Sequence, residues 1–296
     1  MSATPACYRE YLPCAALRSR VRSFFTFAIG VDDTYTRPAA RTNPRLEVIR
    51  GSGDPCWSNL LADVHSSLVC CVSGSYSIDG LWNPSTPHSH VIGPISRWRK
   101  TAPSGPLMQI GAYFAPNAVA EFFEPGLADR VVALESMWGA DAMQLDEQMN
   151  RAKTDAERIS VFEKLLLQRL GSSRQHQIGL DLAGLTRWIA GKKGKASVEA
   201  MADLTGVSRQ YLTRVFQDQI GIGPKLFCRL TRFRELMTAS SNPGVNWAET
   251  AARLGYADQS HMIAEFREFS GSTPASLVQA RTFHPFRYDS TRHRAE

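Results

Sequence analysis

Two short clusters of polar side chains carry the most specific chemistry in this sequence. In the first, Ser208, Arg209, Gln210, Thr213, Arg214 and Gln217 share one side of a helix, because Leu212, Val215 and Phe216 claim the other at the 3.6-residue period. A guanidinium donates a bidentate pair to guanine O6 and N7, a carboxamide matches adenine, and a threonine reaches a base edge or a thymine methyl. Arg214, Gln210 and Thr213 are therefore candidate base readers, and Arg209 is a candidate phosphate contact. Fifty residues on, Gln259, Ser260, Ile263 and Arg267 stand at the positions of Arg209, Gln210, Thr213 and Gln217, but Ala264 replaces Arg214. The second cluster is thus the weaker reader. Lys225, Arg229 and Arg267 add cations suited to phosphate oxygens.

The positioning elements repeat as well. Ala202, Gly206, Ser208, Tyr211, Leu212, Phe216, Gly221 and Pro224 are answered by Ala251, Gly255, Asp258, His261, Met262, Phe266, Gly271 and Pro274. The offset is fifty residues from Ser208 onward and forty-nine before it, which puts one extra residue near Tyr256 and Ala257. A glycine able to take positive φ ends one helix, and Ser208 or Asp258 caps the next. Each copy therefore predicts helix, tight turn, helix, the unit that delivers its second helix to a major groove. By phase Tyr211, Phe216, Phe266 and Phe269 belong to the core, His261 packs in place of Tyr211, Trp188 and Trp247 begin the first helix of each half, and Lys192–Lys195 is a solvated loop.

Other chemistry is thinner. His88 and His90 form an H-x-H pair, with His65 elsewhere, and metal-binding cupins join such a pair to a nearby glutamate. The VIGPISRW that follows His90 contains no acid, so no metal and no cofactor is expected. GSG at Gly51 lacks the rest of a phosphate-cradling loop, and no nucleophile elbow occurs. Cys7, Cys14, Cys56, Cys70, Cys71 and Cys228 include no C-x-x-C pair and read as reduced thiols.

At 296 residues and 43% hydrophobic content the chain predicts two packed domains. Residues 21–31, 46–50, 60–72, 74–82, 90–98 and 107–115 are brief apolar or alternating runs separated by turn formers, which predicts a β-sandwich or small barrel. Helical patterns follow at 116–124, 145–151 and 155–170, and the polar stretch 171–177 interrupts them as a linker. The helix at 224–239 joins the two repeats, with Leu226, Phe227, Leu230, Phe233, Leu236 and Met237 on one face. Residues 1–178 hold 18 Lys and Arg against 17 Asp and Glu, and residues 179–296 hold 16 against 11, so the positive surplus coincides with the repeats. No run is long enough to cross a bilayer and no secretory signal is visible, which predicts a cytoplasmic protein.

These residues carry a resemblance. The segment from about Leu180 to Ala280 resembles the DNA-binding domain of the AraC/XylS family of bacterial transcription regulators, on the matched positions above and on GYADQSHMIAEF from Gly255 to Phe266. Residues 8–170 are similar to the cupin-like N-terminal domain of one branch, through VIGPISRW, IGAYFAPNAVAEFF and the LADRVVAL run. The expected fold class is α+β in two domains: a cupin-like sandwich or barrel with flanking helices at 1–170, a linker at 171–178, an all-α double helix-turn-helix at 179–282 and a tail at 283–296. The resemblance implies promoter or operator DNA as partner, an unknown small-molecule effector, and RNA polymerase and a second copy of the chain as further candidates. An effector pocket lined by Trp57, Trp82, Tyr113 and Phe114 is one expectation, and dimerisation through the helix at 155–170 another. The rival readings are a metal-dependent cupin enzyme with an appended DNA-binding domain, and a ligand-sensing module that does not regulate transcription.

Overall fold

The computed structural model describes residues 7–30, 46–47, 59–84, 89–172, 179–240 and 244–279. Trp57, His88, residues 173–178 of the expected linker and the 283–296 tail lie outside them. In the first part the strands are β1 (Cys7–Tyr11), β2 (Val21–Ile29), β3 (Leu46–Glu47), β4 (Asn59–Leu60), β5 (Ser67–Ser73), β6 (Tyr76–Ile78), β7 (His90–Ile92), β8 (Arg99–Pro103), β9 (Leu107–Phe114) and β10 (Val131–Ala133). They build a sheet in the order β10-β7-β5-β9-β2-β1-β3 and a smaller one in the order β4-β8-β6. Every residue of β9 is buried, Gln109 included, as its mainly apolar sequence demands of a strand covered on both sides.

The pleat sorts the side chains into two cores. On one face Phe24, Leu68, Val91, Ile110 and Phe114 pack under α1 (Leu134–Trp138), α2 (Ala140–Arg151) and α3 (Asp155–Ser172). On the other, Tyr8, Phe25, Phe27, Val69 and Tyr113 meet Tyr76 and Ile78 of the smaller sheet. Of the sandwich-or-barrel alternatives, the two facing sheets realise the sandwich. The pattern at 116–124 becomes a 3-10 turn at Pro116–Glu121, and α3 extends two residues into the segment expected as linker.

The second part is helical: α4 (Leu182–Gly191), α5 (Val198–Thr205), α6 (Arg209–Gln219), α7 (Pro224–Ala239), α8 (Trp247–Leu254), α9 (Gln259–Ser270) and α10 (Pro274–Gln279). Trp247 opens α8 as expected, but Trp188 lies within α4, ahead of the first repeat. The apolar face of α7 runs through the middle, with Phe227 edge-on to Phe216 at 5.5 Å and Phe233 between Phe266 (5.3 Å) and Phe269 (5.4 Å). Beside it Glu265, 4% exposed, accepts from Tyr256 (2.7 Å) and Arg229 (2.8 Å) and lies 3.5 Å from Arg232. Tyr256 sits where the repeat carries its extra residue, and the insertion supplies this buried carboxylate with a donor.

Two runs that look like single strands are broken for one reason. The 60–72 run splits into β4 and β5, and Leu61, Ala62 and Val64 between them bury in the core of the helical part. Ala62 N donates to Phe269 O (3.0 Å) and Asn59 Nδ2 to Ser270 O (3.0 Å), so this segment caps the end of α9. Of the 90–98 run only His90–Ile92 is strand; in the loop that follows, Ile95 bridges to Asp63, and Trp98 reaches Gly271 at the end of α9. His65 also bridges the domains. A neutral imidazole satisfies both neighbours, donating from Nδ1 to Asp63 Oδ1 (2.8 Å) and accepting at Nε2 from Arg234 of α7 (3.2 Å).

Candidate nucleic-acid interface

Each recognition helix starts from a side-chain cap. Gly206 ends α5 at φ 69°, and Ser208 Oγ accepts from Tyr211 N (3.2 Å) to begin α6. In the second unit Gly255 ends α8 at φ 76°, and Asp258 Oδ1 accepts from His261 N (2.7 Å) to begin α9. A side chain other than glycine is costly at such angles, while the short acceptor satisfies a free helical N–H. Turn and cap together aim the first turn of α6 and of α9 away from the core.

Arg209, Gln210, Arg214 and Gln217 are all exposed on α6, with Ser208 exposed at its cap. Arg209 Nη1 pairs with Glu199 of α5 at 3.0 Å, both side chains being more than 60% exposed, so the pair offers little resistance to a competing anion. The Glu199 carboxyl is held below its ordinary value by its own backbone N–H and then by Arg209. Arg214 lies over the ring of Tyr211, 5.2 Å from its centroid, and Tyr211 is half-buried rather than fully in the core. Thr213 donates its hydroxyl to Arg209 O (2.9 Å), which leaves its methyl and lone pairs for a base. The Tyr211–Arg214 contact was visible as an i,i+3 pair; the Glu199–Arg209 pair crosses the turn and had no local signal.

On α9, Gln259, Ser260, Ala264 and Arg267 are exposed, and Ile263 is half-buried against the domain core. His261 does not pack inward as expected. It is exposed and meets Tyr256 edge-on at 5.4 Å, because the extra residue fills the space that a ring at this position would occupy. Lys225 is exposed at the start of α7. Arg229 is not available for phosphate: it is bound to Glu265 (2.8 Å) and Glu268 (2.6 Å) over the Phe269 ring. Burial depresses its pKa, but the two carboxylates outweigh that and raise it.

The β-rich part divides the residues expected to line an effector pocket. Tyr113 faces the inter-sheet side, stacked on Phe25 at 4.6 Å, and Trp82 lies over His90 at 4.7 Å. Phe114 is on the opposite face under the helices, against Phe122 (5.0 Å) and Phe123 (5.2 Å), since adjacent strand residues point to opposite sides. His90 is fully buried with Nε2 2.6 Å from the Tyr76 hydroxyl. Among the described residues no group of three His, Cys, Asp or Glu side chains is arranged to hold a metal ion, and no helix is long and apolar enough to cross a membrane.

Residues 201–280 match the protein family described as a helix-turn-helix domain, over the two units and the helix that joins them. This segment is an AraC-type helix-turn-helix domain. No curated protein matches the chain. A solved structure of ToxT from Vibrio cholerae is similar at 9% identity over 75% of this chain and 92% of that one, with a TM-score of 0.44. Unsaturated fatty acid bound wild-type ToxT from the same organism gives 8% identity, 94% and 95% coverage and a TM-score of 0.44. AraC-type domains bind DNA to regulate transcription, and in this one the polar residues Arg209, Gln210 and Arg214 of α6 and Gln259, Ser260 and Arg267 of α9 are exposed.

Proposed function

We propose that the chain is a sequence-specific transcription regulator that reads two half-sites with one protomer and answers to a small molecule held in its β-rich domain. The observation that carries the reading is the pair of capped helices, each presenting polar side chains to solvent, joined by a single strut. The sixteen residues of α7 span about 24 Å at the α-helical rise. Two readers on such a strut suit successive major grooves on one face of a duplex, which recur about every 34 Å. Arg214, Gln210 and Thr213 read bases in the first half-site, and Gln259, Ser260 and Ile263 give a weaker reading in the second. Ser208, Arg209, Gln217, Lys225 and Arg267 hold phosphates.

The effector would enter the inter-sheet side, where Tyr8, Gln109, Tyr113 and His90 supply polar groups among aromatic walls. Its binding shifts the balance between arrangements of the two domains, to the extent that it prefers one of them. RNA polymerase and a second copy of the chain complete the partners in this reading, which places the protein in the cytoplasm. Selection of duplexes from a random pool by the full chain tests the proposal. A bipartite motif with one sharp and one diffuse half-site is expected, and recovery of no preferred sequence would refute it.

A further inference from the structure

The loops at one end of the β-rich domain grip the C-terminal ends of both recognition helices. At α9, Asn59 and Ala62 bond the carbonyls of Ser270 and Phe269, and Trp98 lies flat against Gly271, where any Cβ would strike its ring. At α6, Val119, Phe123 and Leu127 face Asp218–Gly221 across a narrow cleft, and Ala128 N lies 3.4 Å from where a Cβ on Gly221 would sit. The two grips are tied together. Asp63 and Ile95 exchange backbone bonds (both 2.9 Å), Asp129 N donates to Pro94 O (2.8 Å), and the Asp129 carboxylate accepts from Ser96 N (2.8 Å) and Ser96 Oγ (2.6 Å). Asp129 holds this position at φ 52°, a left-handed conformation that glycine, asparagine and aspartate adopt more readily than other residues.

The grip on α6 falls at its joint with α7. There the chain reads Ile220-Gly221-Ile222-Gly223: the two isoleucines bury in the helical core, and Gly221, at φ 97°, makes a turn that a larger residue would strain. Ala128 lies against Gly221.

We propose that these loops form a clamp that fixes the separation and orientation of the two recognition helices, so that the β-rich domain sets the half-site spacing accepted on DNA. Asp129, which touches no helix of the DNA-binding domain through its carboxylate, is the positioning residue that locks the two grips together. The inference rests on the two-half-site reading above and adds a specificity determinant outside the helix-turn-helix units.

The test uses the full chain and duplexes selected by it, with one or two base pairs inserted or removed between the half-sites. Each base pair displaces one half-site by about 3.4 Å and rotates it by about 35°. The wild-type chain is expected to lose about tenfold in affinity for one inserted pair. Asp129→Gly retains the backbone angle and removes the carboxylate; it should bind the best duplex within about threefold of wild type, yet lose less than about threefold on insertion. The double variant N59A/W98A opens the other grip and should flatten the profile in the same way, which decides the matter if Asp129→Gly does not fold. Wild-type spacing dependence in the folded variants would overturn the clamp. Failure of the wild-type chain to select a bipartite duplex would instead overturn the DNA reading itself.

Discussion

Arg214 and Arg209 stand five residues apart on α6 but are held by different forces, and the difference predicts different phenotypes. The exposed Arg214 guanidinium rests over the Tyr211 ring, an arrangement that limits its rotamers before DNA arrives. Arg214→Ala should relax preference at one position of the first half-site, costing about 1–3 kcal/mol against the selected base and little elsewhere. Competition binding with single-base variants of the duplex measures this. Arg209 is tied only to an exposed carboxylate. Arg209→Ala should weaken binding to all sequences alike and lower the slope of log affinity against log salt by about 1, whereas Glu199→Gln, which removes a negative charge beside the backbone, should strengthen binding without altering base preference. A salt titration of the three proteins separates these outcomes.

At the scale of elements, the packing of α7 on α9 depends on one buried carboxylate. Glu265 faces Arg229, Arg232 and Tyr256, and its removal leaves two guanidinium groups and a phenol without their shared acceptor. Glu265→Ala should destabilise the protein by about 2–4 kcal/mol, read from urea unfolding. Tyr256→Phe, which deletes one hydrogen bond and keeps the ring, should cost about 1 kcal/mol. Both units were legible in the sequence down to the cap residues, because a glycine at positive φ followed by a short acceptor is a local requirement. Glu265 was not legible as a hub, since its three partners come from two other elements. The splitting of the 60–72 run was equally hidden: its apolar residues signalled burial, but not that the surface receiving Leu61, Ala62 and Val64 belongs to the other domain.

Across the whole molecule, the junction of the domains carries an acid-sensitive group. Burial, and then the charge of Arg234, push the His65 imidazole down to about 4. Burial works against the neighbouring Asp63 carboxylate, but His65 and Arg234 outweigh it and hold its pKa below the ordinary value. With His65 near 6.5 when unfolded, the unfolded chain binds the extra proton between about pH 6.5 and 4, so stability should fall as pH is lowered through that window. Thermal melts across the window should show this slope in the wild-type chain and a flatter one in His65→Gln. Asp63 adds its own loss only below the ordinary carboxylate range.

The sequence by itself determined the two helix-turn-helix units, the strut between them, the outward placement of Arg209, Gln210, Arg214, Gln259 and Ser260, and the β-rich character of the first domain. These follow from periodicity, caps and turns, all of which act over a few residues. Only the tertiary structure decided that Arg229 is consumed by carboxylates, that Phe114 and Tyr113 serve opposite faces, and that loops around Asn59, Trp98 and Asp129 grip the ends of both recognition helices. Such contacts join segments as much as 211 residues apart, as between Asn59 and Ser270, and nothing in the local pattern of either segment names its partner.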